Sequence, residues 1–323
     1  MSHGSEKAVV TAVTANATVT IAKFIGFAFS GSSALLAEAV HSLADTANQG
    51  LLYVGLRRSE KQADRRHHFG YGQERYFWNL ISAVTIFFIG CIYTIMHAID
   101  QLRHGHVPEI SWLAFGIIGL AFVIEGYSFV VALTEFNRQR KEAGKSFFEY
   151  FSDTRDPTTL AVLIEDTVAV FGLLLALAGM GLAALTGSAI FDAIAAILIG
   201  LLMGALAFFL AKVNRKYLLN ISDQRLDQVA EEIWQGDERI QAVHRVNSIV
   251  LSPDESVLMA EVELREETMF AKMSEAEIQQ AIHFMNRLHD IRRSLEGEVR
   301  QSIPHARDIF IELAELKDQK TPD

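Results

Sequence analysis

Long runs of apolar residues, almost free of charge, fill this chain from residue 8 to residue 220, and they leave it few choices of fold. A bilayer core is about 30 Å thick, and roughly 20 mostly apolar residues of helix cross it. In lipid no water reaches the backbone amides, so each such run must satisfy them internally, as a helix does. Six segments qualify, at about 8–30, 33–56, 74–100, 111–136, 157–185 and 189–216. They predict an α-helical membrane protein with six transmembrane helices over residues 1–220.

After residue 220 the apolar runs stop and the charge changes. Residues 221–323 hold 22 of the 39 acidic and 12 of the 29 basic residues, a net of −10, which leaves 17 of each sign before them. Two solvents are implied, lipid for the first part and water for the second. An acidic tail argues against nucleic acid as a partner. The single cysteine, Cys91, lies in an apolar run and cannot close an intrachain disulfide. The first residues show no basic segment followed by a short apolar stretch and a small-residue cleavage site, so no cleaved signal is expected. Without an organellar transit segment, a bacterial inner membrane is the expected location.

The spans are joined alternately by short and long connections. Gly31-Ser32 joins the first pair and Thr186-Gly187-Ser188 the last, whereas 57–73 and 137–156 are long and charged. Fourteen lysines and arginines fall on one side (Arg57, Arg58, Lys61, Arg65, Arg66, Arg75, Arg138, Arg140, Lys141, Lys145, Arg155, Lys212, Arg215 and Lys216), against Arg103 alone on the other. By the positive-inside rule both termini and the tail are expected in the cytoplasm.

The tail reads as a small α+β domain over 221–323. Ser222 is positioned to cap a helix at about 223–235. Residues 242–251 and 256–265 alternate like strands around the turn Ser252-Pro253-Asp254-Glu255. Ser274 and Glu277 form a capping-box pattern at the head of a helix reaching about 302, before Pro304. A last strand is expected at 308–314. The order αββαβ, of ferredoxin-like or metallochaperone-like type, packs two helices on one face of a three-stranded sheet.

Ionisable residues at membrane depth cost several kcal/mol and mark function by default. On the second span Glu38, His41, Asp45 and Asn48 or Gln49 recur at spacings of three and four and share one helical face. A neutral imidazole and a carboxylate one turn apart can hold a divalent cation from one side, with donors suited to zinc and other first-row metals. A polar stripe that merely joins helices would be built of Ser and Asn rather than of an acid, a His and another acid. The fifth span carries adjacent Glu165 and Asp166 with no basic residue of its own, so a cation must come from elsewhere. A metal shared with the second span would supply it; alternatively, one acid binds metal while the other pairs with Lys23, the lone cation within the first span. Glu125, Asp192 and Asn16 leave two readings open, lining a cavity or pairing structurally.

The string GSSALLAEAVHSLADTANQ, followed by RRHHFGYGQERY, resembles the cation diffusion facilitator family. The shared pattern is a Gly/Ser turn, an acid, His41-Ser42-Leu43-Ala44-Asp45, then His67-His68-Phe69-Gly70-Tyr71-Gly72; FDAIAAILIGLL in the sixth span matches too. The resemblance implies a homodimeric exporter that exchanges a divalent metal, usually zinc, for protons. It implies a four-ligand site with two residues from each of the second and fifth spans, and carries over His41, Asp45 and Asp166. Zinc-type members place His four residues before that Asp, where this chain has Val162; it offers Glu165 instead. In this it is similar to a branch with a Glu-Asp pair that includes mitochondrial zinc transporters. A carboxylate in place of imidazole makes the site harder and more tolerant of manganese or iron. Some members hold an accessory metal between the second and third spans. Asp64 and His67 match that pattern, Tyr71 stands where a second His would be, and His68 is the substitute. His244, His283, His289 and His305 in the tail read as surface histidines.

The expected mechanism is alternating access. A divalent metal, most readily Zn2+ and otherwise Mn2+, Fe2+ or Co2+, displaces a proton from His41 on one side of the membrane. Protons reload His41, with Asp166 or Glu165, on the other. No cofactor is implied: there is no nucleotide-binding GxxxxGK[ST] run and no nucleophile-and-base arrangement, so the chain does not read as an enzyme. A reading from another class is a membrane-anchored metal sensor or scaffold without flux.

Overall fold

The computed structural model of the chain describes residues 3–303, apart from 105–107, 110, 148, 151–156, 254 and 272, together with 305 and 309–311; the side chains of 3–15 and 157–161 lie outside the description. Six long helices come first: α1 (His3–Ser30), α2 (Ser33–Ser59), α3 (Glu74–His104), α4 (Trp112–Glu142), α5 (Pro157–Thr186) and α6 (Ala189–Leu218). Among the described residues four helices are both long and apolar enough to cross a bilayer: α3, α4, α6 and, over Val162–Thr186, α5. The helix α2 has the length, 27 residues, but its ionisable face and Arg57 and Arg58 lower its hydropathy. Large apolar side chains such as Phe29, Trp112, Tyr127, Leu185 and Phe208 point outward. Exposed apolar surface on that scale suits lipid and not water.

The tight turns are built as the chain predicts. Gly31 at φ +64° and Gly187 at φ +66° end α1 and α5 in the left-handed region, which glycine enters without a Cβ clash. Ser32 then opens α2, its hydroxyl accepting from the Leu35 amide, and Ser188 does the same for α6 at the Ile190 amide. At the distal ends Arg57 and Arg58 on α2, and Arg215 and Lys216 on α6, complement the helix dipole.

Small side chains let the helices approach closely. Ala34, Ala37, Ala176, Ala193 and Ala196 interleave with Leu35, Leu173, Met180, Ile199 and Met203 in the main core. The helix α2 packs on α1, α3, α5 and α6, and α5 packs on both α4 and α6. The α5–α6 contact is tight at Gly179, where an added Cβ would meet the Ala195 Cβ and the Phe191 carbonyl. Between Ile86 and Tyr93 α3 becomes a π-helix; there Cys91 lies against Gly204, and Gly90 against Met203, on α6.

The chain divides into two compact units, residues 1–226 with 247–258, and 227–246 with 259–323. After α6 come α7 (Gln224–Gln235), β1 (Ile240–Ser252), β2 (Glu255–Leu264), α8 (Glu266–Met269) and α9 (Glu275–Ser302). The two strands pair in sequence order. Asp223, rather than Ser222, caps α7: its Oδ1 accepts from the Leu226 amide at 3.1 Å. Glu277 accepts from the Ser274 amide at 2.7 Å, completing the capping box of α9. The short α8 has no counterpart in the sequence reading. The expected third strand, 308–314, falls mostly outside the described residues; Ile309, Phe310 and Ile311 are described and are not in a strand.

Candidate metal centre

The helix α2 holds its ionisable face inward. His41 is 1% exposed, and Nε2 of its ring lies 3.4 Å from Oδ2 of Asp45 one turn on. That separation is a charge-pair distance and not a hydrogen bond. Both ring nitrogens of His41 are buried with no hydrogen-bond partner among the described residues. An imidazole with two free nitrogens beside a carboxylate is an incomplete donor set, short of a cation or a proton.

The two acids of α5 approach this pair and are held by different neighbours. Oε1 of Glu165 accepts from the Asn48 amide at 3.0 Å, and Asn48 in turn accepts from the Ser82 hydroxyl at 2.6 Å. Oδ2 of Asp166 accepts from the Ser128 hydroxyl of α4 at 2.9 Å. Asp45 lies within electrostatic range of both acids, and His41 within range of Asp166. Among the described residues no three His, Cys, Asp or Glu side chains already form one ligand shell. The structure therefore pairs His41 with Asp45 and turns Glu165 and Asp166 to neighbouring hydrogen-bond donors. Val162, one turn before Asp166, is 43% exposed and offers no donor atom.

Lys23 does not pair with Glu165 or Asp166. Its ammonium donates to Oε2 of Glu38 at 3.0 Å, Oε1 of Glu125 at 2.8 Å and Oγ of Ser42 at 2.8 Å. The reason is helix order: α1 packs on α2 and α4, so its cation meets their acids and not those of α5. Glu125 thus has a structural partner. So does Asp192, which accepts from the Ser32 hydroxyl at 2.5 Å, the Ser33 amide at 2.7 Å and Gln101 at 3.3 Å, pinning the head of α2 to α6. Asn16 is half-buried, and its backbone carbonyl accepts from Thr20. Sequence reasoning missed Ser82 and Ser128, whose only signal is a hydroxyl inside an apolar run.

In the loop after α2, Oδ1 of Asp64 accepts from the amides of His67 and Arg66, both at 2.8 Å, and Oδ2 from the Tyr71 hydroxyl at 2.9 Å. The His67 amide above all, then the Arg66 amide and the Tyr71 hydroxyl, hold its carboxyl down at about 2. The His67 ring lies 3.5 Å from the same carboxylate, while the His68 ring turns to the Arg65 carbonyl at 3.0 Å. Asp64 and His67 are brought together, and His68 is not. In the tail His244 pairs with Glu263 at 2.9 Å across the strands, and His283, His289 and His305 are exposed.

Residues 9–219 match the family described as the cation efflux transmembrane domain. Human "Proton-coupled zinc antiporter SLC30A9, mitochondrial" is 35% identical over 262 residues, which are 80% of this chain and 46% of that protein. "Metal tolerance protein C4" of Arabidopsis thaliana is 36% identical over 261 residues, 80% of this chain and 57% of its own. "Magnetosome protein MamB" of Paramagnetospirillum magneticum is 25% identical over 308 residues, 94% and 92% of the two chains. The chain spans about half the length of the first two of these relatives.

Proposed function

The chain belongs to the cation efflux, or cation diffusion facilitator, family of membrane proteins, and from that premise we propose that it exports a divalent metal, zinc first, in exchange for protons. The observation that carries the reading is the pairing of buried His41 with half-buried Asp45, with both imidazole nitrogens of His41 lacking a hydrogen-bond partner among the described residues. His41 and Asp45 from α2 and Asp166 and Glu165 from α5 are the proposed ligands. Asn48 and Ser128 act as positioning residues, fixing Glu165 and Asp166 through one hydrogen bond each. A ligating imidazole is neutral, so metal and proton compete for His41. Carboxylates offset the charge of the dication in a low dielectric, and rocking of the helices turns the site from one face to the other.

The proposal extends to six spans, with the arginine-rich loops and both termini inside, and to a dimer with a second copy of the chain. The 1–220 part then carries the transport path and 221–323 an αββαβ tail. An accessory metal at Asp64 and His67 would require the His67 ring to close on the Asp64 carboxylate, 3.5 Å away.

Protein reconstituted in liposomes should move zinc against an imposed proton gradient. Wild-type flux in both His41→Ala and Asp45→Ala would sink the assignment, and absence of flux in wild type would leave a sensor or scaffold. The same fold with manganese, iron or cobalt as cargo is favoured by one observation: α5 offers two carboxylates, and Val162 where an imidazole would stand. Competition among the metals in that assay, repeated with Glu165→Ala, separates the two cargoes.

A further inference from the structure

The Lys23 cluster lies beside the proposed metal ligands without belonging to them. An ammonium has three donors, and Lys23 uses all three on Glu38, Glu125 and Ser42. Two carboxylates therefore share one cation, and with all three groups ionised the cluster carries a net charge of −1. Lys23 and Glu38 are fully buried. Each acid keeps a second oxygen, Oε1 of Glu38 and Oε2 of Glu125, that is buried with no hydrogen-bond partner among the described residues. Two orphaned carboxylate oxygens around a saturated ammonium have room for one more proton and for no further protein donor.

Of the groups facing the cluster, only the His41 imidazole can add a positive charge, and it does so only while it holds a second proton. Glu38 meets Lys23 of α1, Glu125 of α4 and His41 on its own helix. Glu125 lies within range of Asp45 on α2 and Asp166 on α5, both acids. Against Oε1 of Glu38, α5 presents Gly172, where a Cβ would run into the carboxylate. Uncompensated negative charge at membrane depth is costly and is relieved by protonation. The cluster is also tied to the metal pair, since Ser42, which receives the third Lys23 bond, follows His41 directly.

We propose that the Glu38–Lys23–Glu125 cluster is a second proton site of the transporter, distinct from the metal ligands. The carboxylate pair carries one proton before metal arrives and releases it when a dication is held at His41 and Asp45. On release one carboxyl O–H bond breaks, its electron pair stays on oxygen and the proton passes to water. The cluster goes from neutral to −1 as the neighbouring site gains two positive charges. The inference rests on the reading of proton-coupled metal transport and adds to it where one of the exchanged protons sits.

The test is proton counting. Zinc is added to the purified full-length protein in weak buffer with a pH-indicator dye, between pH 6 and 8, and protons released per zinc bound are compared for wild type, Glu125→Gln and Glu38→Gln. Glutamine keeps the shape and still accepts from Lys23, and either variant leaves one carboxylate to one ammonium, neutral without a proton. Each variant should bind zinc within about threefold of wild type and release about one proton fewer per zinc. Wild-type proton counts in both variants overturn the proposal. A tenfold loss of zinc affinity in both also overturns it, because the cluster would then be part of the metal site. Wild type that neither binds zinc nor releases protons overturns the transport reading itself, a failure visible before any variant is made.

Discussion

Single hydrogen bonds decide where the carboxylates of the proposed metal centre point. Ser128 gives Asp166 its one described donor, so Ser128→Ala removes that bond and frees the carboxylate to turn. A hydrogen bond to a charged group contributes about 1.5–3 kcal/mol. The expected cost is roughly a tenfold to hundredfold loss of zinc affinity, read by titration of the purified protein, with the melting temperature little changed because α4 and α5 still pack. Asp64 offers a pH test outside the membrane. Its folded carboxyl titrates at about 2, below the ordinary carboxylate range. A depressed value contributes order that is fully present above the unfolded value and lost as pH falls through the folded one. The loop should therefore keep its form down to about pH 4 and loosen between there and about 2. Asp64→Asn removes the charge at any pH, and trypsin should then cut at Arg65 and Arg66 faster than in wild type. The pairing of His41 with Asp45 is legible in the sequence because i,i+4 is a local spacing. The partners of Lys23 are not, because they depend on which helix lies beside α1.

At the scale of the helix, the closest approaches are made by glycine, and the structure separates glycines that are needed from those that are not. A Cβ at Gly179 would collide with Ala195 and with the Phe191 carbonyl, whereas at Gly181, half a turn on, nothing lies within 4 Å. Gly179→Ala should force α5 and α6 apart and lower stability by about 1–3 kcal/mol. Gly181→Ala should be neutral or slightly stabilising, since Ala is the better helix former by about 1 kcal/mol. Thermal unfolding in detergent, both variants side by side, checks the contrast; equal melting temperatures would show that α5 and α6 are not packed at Gly179. The lengths of the helices are legible because apolar runs and caps are local signals, as at Ser32, Ser188 and Ser274. The π-helical stretch of α3 is not, and the residues against its Gly90 and Cys91, Met203 and Gly204, lie on a helix more than a hundred residues away. The cap of α7 slips by one residue, to Asp223, because adjacent Ser222 and Asp223 are both competent caps.

Across the whole molecule the distribution of charge makes the strongest claim, that the chain has an inside and an outside. The positive-inside rule assigns the basic residues of the loops after α2 and α4 and at the end of α6 to one side, and Arg103 and His104 at the end of α3 to the other. If both α1 and α2 cross the bilayer, an even number of spans separates Lys61 from the N-terminus, and Lys61 and His104 face opposite solvents. If α2 stays within one leaflet because of its ionisable face, the two ends of α3 still separate, but the N-terminus changes sides. Lys61→Cys, His104→Cys and a cysteine added before residue 3 discriminate these arrangements. The one native cysteine, Cys91, is buried, so an impermeant maleimide reads only the introduced residue. Six spans predict that, in sealed vesicles of one orientation, Lys61→Cys and the N-terminal cysteine label together and His104→Cys labels only after permeabilisation, or the reverse in inverted vesicles. Labelling of the N-terminal cysteine together with His104→Cys would instead mean five crossings. If the helix that fails to cross is α2 and not α1, the His41–Asp45 pair lies on a helix that does not traverse, and a path through the membrane along α2 is excluded.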